Sequence, residues 1–151
     1  MIRKSQRFLL IIIYCFSAFI CIGQFKAKEI NWTTDGTSTL IIKNGEIVKT
    51  NLVNFKETIV VTKNQLTPAG ATNPLTISDY TFSSDYKLLL IFTNTAKVWR
   101  YHTRGDYWLL NLNSNQLFRL GESLPSQSLM FAKVSPDGKQ VAYVSGHNLY
   151  V

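Results

Sequence analysis

Lys97, Trp99, Arg100, Tyr101, His102, Arg104, Tyr107 and Trp108 bring cationic and aromatic side chains together within twelve positions. A guanidinium offers a rigid fork of donors to a carbonyl or carboxylate, and aromatic neighbours can hold a ligand against it. The same residues also fit a solvated basic loop packed on its own rings, and composition leaves both readings open. Other chemistry is scarce. His102 and His147 are the only histidines, lie far apart in sequence, and have no second ligand at metal spacing, so each reads as a solvated loop residue. Both cysteines, Cys15 and Cys21, fall in the first 23 residues, leaving the rest without thiol, disulfide or cysteine metal site. No G-x-S-x-G nucleophile elbow occurs. No catalytic residue, metal or cofactor is expected from this chain.

The elements around this cluster read as β-structure throughout. Leu88 to Phe92 is a strand, Lys97 to Asp106 reads as a long connection, and Tyr107 to Leu112 and Gln116 to Leu120 are strands. Upstream, Ser38–Ile42 and Glu46–Lys49 flank Asn44-Gly45, a two-residue hairpin signal, and Thr58–Thr62 follows. Asn64 to Pro74 is a loop broken by Pro68, Gly70 and Pro74. Downstream, Gly121 to Ser128 is a loop, and Leu129–Val134, Gln140–Val144 and Leu149–Val151 are strands.

An internal repeat orders these strands. "YTFSSDYKLLLIFT" aligns without a gap with "AKVSPDGKQVAYVS", and "INWTTDGTSTLII" is a weaker third copy. Asp35, Asp85 and Asp137 occupy one place, fifty and fifty-two positions apart, and each can accept a backbone N–H two residues on. A period near fifty built from strands and turns points to propeller blades of four strands each, rather than an unrelated sandwich with similar hairpins. The expected fold is all-β: an incomplete β-propeller of about two four-stranded blades plus part of another. The chain ends inside the third copy, so this reading expects residues 24–151 to be the N-terminal part of a longer propeller.

Residues 1–23 read as an address. A basic start at Arg3, Lys4 and Arg7 precedes an apolar run from Phe8 to Ile22, interrupted by Ser17. That run suits a signal h-region of about 7–15 residues better than a spanning helix of about 20. Gly23 is small enough for cleavage before Gln24. Cys21 as an acylated residue is disfavoured by the bulky Ile20. The expectation is a signal peptide and an exported chain, periplasmic or extracellular, membrane-anchored if the signal stays. The whole chain carries +7. Without those three cations, thirteen basic residues face nine acidic ones, too mild and scattered an excess for nucleic acid, which is not expected as a partner.

"KVWR", "TRGDYW" and "SPDG…AYV…NLYV", in this order, resemble the N-terminal β-propeller of the dipeptidyl peptidase IV family, especially its bacterial secreted members. The resemblance spans about Thr34 to Val151 and is strongest from Asp79 on. It implies an eight-bladed propeller over an α/β-hydrolase domain with a Ser-Asp-His triad, removing N-terminal dipeptides with proline or alanine second. It implies that Arg100, directly after Trp99, is the arginine that reaches into the active-site cavity and contacts a substrate carbonyl. The implied partner is a peptide with a free N-terminus, met through a full-length parent that forms a homodimer. Two parts of the family pattern are missing here: its paired glutamates and its hydrolase domain. The alternative is a non-enzymatic propeller module that binds a protein or glycan.

Overall fold

The computed structural model describes residues 30–151. The signal-peptide reading of residues 1–23 lies outside them. The described residues form eleven strands and no helix: β1 (Asn31–Trp32), β2 (Ser38–Lys43), β3 (Glu46–Asn51), β4 (Glu57–Val61), β5 (Asp79–Phe82), β6 (Leu88–Val98), β7 (Tyr101–Asn111), β8 (Gln116–Arg119), β9 (Leu129–Val134), β10 (Val141–Ser145) and β11 (Asn148–Tyr150). All pairings are antiparallel. β1 to β4 form a four-stranded meander, and β5 to β8 form a second. β9 to β11 begin a third, which joins the second through a bridge between Gly105 and Leu129. This is the expected incomplete propeller.

The turn that opens each unit has one geometry in all three copies. Asp35, Asp85 and Asp137 each accept the backbone N–H two residues on, at 3.1 Å. Each also accepts a hydroxyl from Thr33, Ser83 or Ser135, at 2.6–2.7 Å. That hydroxyl oxygen accepts in turn the N–H of Ser38, Leu88 or Gln140, the first residues past the turn. The residue after each aspartate has positive φ: Gly36 at 66°, Tyr86 at 56° and Gly138 at 71°. Glycine is the usual choice there. Tyr86 is compensated, because its Oη accepts the Thr34 N–H at 3.1 Å and its ring packs on Phe82. The second turn is thereby tied to the first.

β6 explains why Leu88 to Phe92 is a continuous apolar run rather than an alternating one. Leu89 and Ile91 pack with Leu40, Ile47, Val61 and Leu110 against the first sheet. Leu90 packs with Leu109, Leu120 and Leu129 toward the third. A strand covered on both faces needs no polar alternation. Leu66, within the predicted loop, is fully buried and plugs the first of these clusters.

The sequence reading is corrected at three places. Lys97 to Asp106 is not a loop. β6 continues to Val98 and β7 starts at Tyr101, so Trp99-Arg100 alone makes the turn. The extension is a twisted two-stranded ribbon with register shifts between Thr93 and Lys97. Its two faces are both largely solvated, so it lacks the apolar alternation that marks a half-buried strand. β1 and β5, two and four residues long, also went unpredicted.

Candidate functional site: a ribbon raised from the second sheet

The ribbon tip holds the predicted contact residue. Val98 pairs with Tyr101, leaving Trp99 and Arg100 as the two central residues of a hairpin turn. Trp99 has φ of 61° and is 96% exposed. Positive φ at the first central position is the place where a type II′ hairpin prefers glycine. A large aromatic held there with no packing is strained, and such strain concentrates at functional positions. Arg100 is exposed beside it. Below the tip, Lys97 pairs with His102, and His102 Nδ1 lies 2.9 Å from Thr95 Oγ1 on the same face. Arg104 pairs with Ala96. Among the described residues, Lys97, Arg100 and Arg104 have no acidic partner. The cationic cluster is therefore presented outward rather than neutralised. Of the residues predicted as one cluster, the structure keeps Lys97 to Arg104 on the ribbon. Tyr107 stacks on Phe92 and packs, like Trp108, against the sheet cores.

The ribbon base is the part that the sequence reading missed. Asp106 is buried. Its Oδ1 accepts from Arg119 Nη2 and from the Gln127 N–H, each at 2.9 Å. Its Oδ2 accepts from Asn94 Nδ2 at 2.8 Å and Ser126 Oγ at 3.1 Å. Gln127 Nε2 donates to Asn94 Oδ1 at 2.9 Å, which closes the ring. Burial pushes the Asp106 carboxyl up, but the bonds from Asn94, Gln127 and Ser126 and the Arg119 charge outweigh it, so the net shift is down. Asn94, at the register shift, has φ of 47°. Gly105 has no room for a side chain: an added Cβ would meet the Phe92 ring and lie 2.7 Å from the Thr93 carbonyl oxygen. The one signal in the sequence was Gly-Asp at the end of the apparent insert, where a mobile loop needs neither residue.

This site can hold an oxygen acceptor through a guanidinium. No group of His, Cys, Asp or Glu among the described residues could hold a metal. A cavity of about 330 Å³, lined by Asn31, Trp32, Tyr80 and Tyr86 among others, lies at the opposite end of β6, beside the Ser83–Asp85 turn.

Three meander units around shared cores, one carrying a raised ribbon, define consecutive blades of a β-propeller. Residues 83–151 match the family described as the dipeptidyl peptidase IV (DPP IV) N-terminal region. A dipeptidyl aminopeptidase of Schizosaccharomyces pombe is 26% identical over 127 residues, covering 82% of this chain and 16% of its own length. Dipeptidyl aminopeptidase B of Saccharomyces cerevisiae is 34% identical over 77 residues, 51% of this chain and 9% of its own. The crystal structure of Porphyromonas gingivalis dipeptidyl peptidase 4 superposes with a TM-score of 0.67 at 23% identity, over 82% of this chain and 17% of that one. The chain is thus a peptidase-related propeller segment that spans less than a fifth of the length of these relatives.

Proposed function

We propose that this chain is the N-terminal propeller segment of an exported serine exopeptidase that releases X-Pro or X-Ala dipeptides from free peptide N-termini. In this reading it gates and binds substrate, and Arg100 donates to a substrate backbone carbonyl. The triad belongs to a hydrolase domain elsewhere in the full-length protein. The single observation that carries the reading is the ribbon tip: a two-residue turn that presents Arg100 outward, next to a strained and exposed Trp99, with no acidic partner. The match of residues 83–151 to the dipeptidyl peptidase IV N-terminal region supports the same substrate class.

The test uses the full-length protein and one X-Pro chromogenic substrate at fixed salt. Arg100→Ala should lower kcat/KM about tenfold to a hundredfold, as loss of a charge-assisted hydrogen bond of roughly 1.5–3 kcal/mol implies. Arg100→Lys should recover only part, because a point charge does not reproduce the fork. Arg104→Ala, on the ribbon but away from its tip, is the control. Equal losses at both arginines would favour a general cationic contact, as in a non-enzymatic binding module. No loss at Arg100, in a variant that melts like the wild type, sinks the assignment.

A further inference from the structure

We infer that Asp106 is a positioning residue for Arg100: its carboxylate, clasped by Asn94, Arg119, Ser126 and Gln127, fixes the direction in which the ribbon carries its tip. This rests on the reading of Arg100 given above. An isolated two-stranded ribbon is marginally stable in water, so something at its base must set its course. Asp106 lies six residues past Arg100 along β7, roughly 20 Å from the tip at the usual strand rise. A tilt of roughly 5° at that base would swing the tip by roughly 2 Å, by the same geometry. A misplacement of about 1 Å can cost about a hundredfold in a reaction that depends on aligned contacts.

The donors that reach Asp106 come from three different segments. Asn94 sits at the register shift in β6, where the ribbon leaves the sheet. Arg119 is the last residue of β8, the outer strand of the same blade. Ser126 and Gln127 belong to the connection that leads into β9 of the next blade. One buried carboxylate therefore references the ribbon to its own blade and to its neighbour at once. The adjacent Gly105 lets β7 approach both Phe92 and Thr93, so the two strands meet tightly at the same level. A carboxylate used only to stabilise the sheet would not need a partner on each side of the ribbon's exit.

The experiment uses the full-length protein, with steady-state kinetics on the X-Pro chromogenic substrate for Asp106→Asn, Arg100→Ala and the double variant. Asparagine keeps the shape but turns an NH2 group toward donors. Asp106→Asn should lower kcat/KM about tenfold, with the same division between KM and kcat as Arg100→Ala. In the Arg100→Ala background it should add less than about twofold, because residues that act as one unit are non-additive. If Asp106→Asn fails to fold, Asn94→Gly decides: it keeps the positive φ, removes the three side-chain bonds to Asp106, Ser126 and Gln127, and should show a smaller loss that also vanishes without Arg100. Losses that multiply, or full activity in Asp106→Asn or Asn94→Gly while Arg100→Ala is impaired, overturn the positioning role alone. No loss in Arg100→Ala overturns the Arg100 reading, and this one with it.

Discussion

Gly105 and Tyr86 show opposite solutions to one backbone problem. At Gly105 the space is filled: a Cβ would strike the Phe92 ring and the Thr93 carbonyl, and the latter is backbone that cannot swing aside. Gly105→Ala should therefore destabilise by about 1–3 kcal/mol, the usual cost of overpacking. Denaturant unfolding of the full-length protein would measure it, and an unchanged midpoint would mean that the ribbon base is wider than described. At Tyr86 the φ of 56° is unfavourable, yet glycine is not used. The phenol instead spans to the Thr34 N–H. Tyr86→Phe removes only that exposed bond and should cost less than about 1.5 kcal/mol, which the same titration resolves. A larger loss would make the tie between the two turns a main support of the first sheet.

At the level of elements, the three Asp turns act as the starting fold of each blade, and acid should act on them together. The hydroxyl of Thr33 and the Thr37 N–H hold Asp35 at about 2, and the Ser83 hydroxyl leads the bonds that hold Asp85 at about 2. Asp137 is also lowered, first by Ser135. A depressed carboxylate stabilises the fold above its unfolded value of 3.8 and loses that contribution as pH falls toward 2. The melting temperature should therefore drop over that window, and Asp85→Asn should start lower and fall less steeply. A variant with the wild-type acid slope would show that the turn is not what titrates. These turns were legible in the sequence because their bonds are local: Asp, a hydroxyl two residues before it, and a positive-φ residue after it. Leu88 to Phe92 was legible as well, since a run without alternation has few uses in an all-β chain. The ribbon was not. Its strands, Asn94 to Val98 and Tyr101 to Arg104, bury neither face against a sheet, so periodicity carries no signal there. Arg100 could be named only through the resemblance. Asp106 could not be named at all, because its partners come from residues 94, 119, 126 and 127.

For the molecule as a whole, the outermost sheets leave apolar groups in water. Val53 and Phe55 beyond β3, Ile59 on β4, and Phe131 and Leu149 on the third unit are all exposed. Unpaired strand edges with such side chains invite association. Residues 30–151 alone should therefore melt broadly or aggregate, as scanning calorimetry with light scattering would record. A sharp, reversible, monomeric transition would contradict the need for further blades. Not all of the segment should come apart at once, however. The Gly105–Leu129 bridge joins the second meander to the start of the third by main-chain pairing, whereas the first meander meets the second only through side chains and the Tyr86 tie. Blades two and three then share one cooperative opening unit, and blade one is another. In native-state amide exchange, β6, β7, β9 and β10 should lose protection together, with β2 and β3 on a separate free-energy scale. The ribbon is rooted at that bridge, so whatever loads its tip is felt first across the seam between two blades.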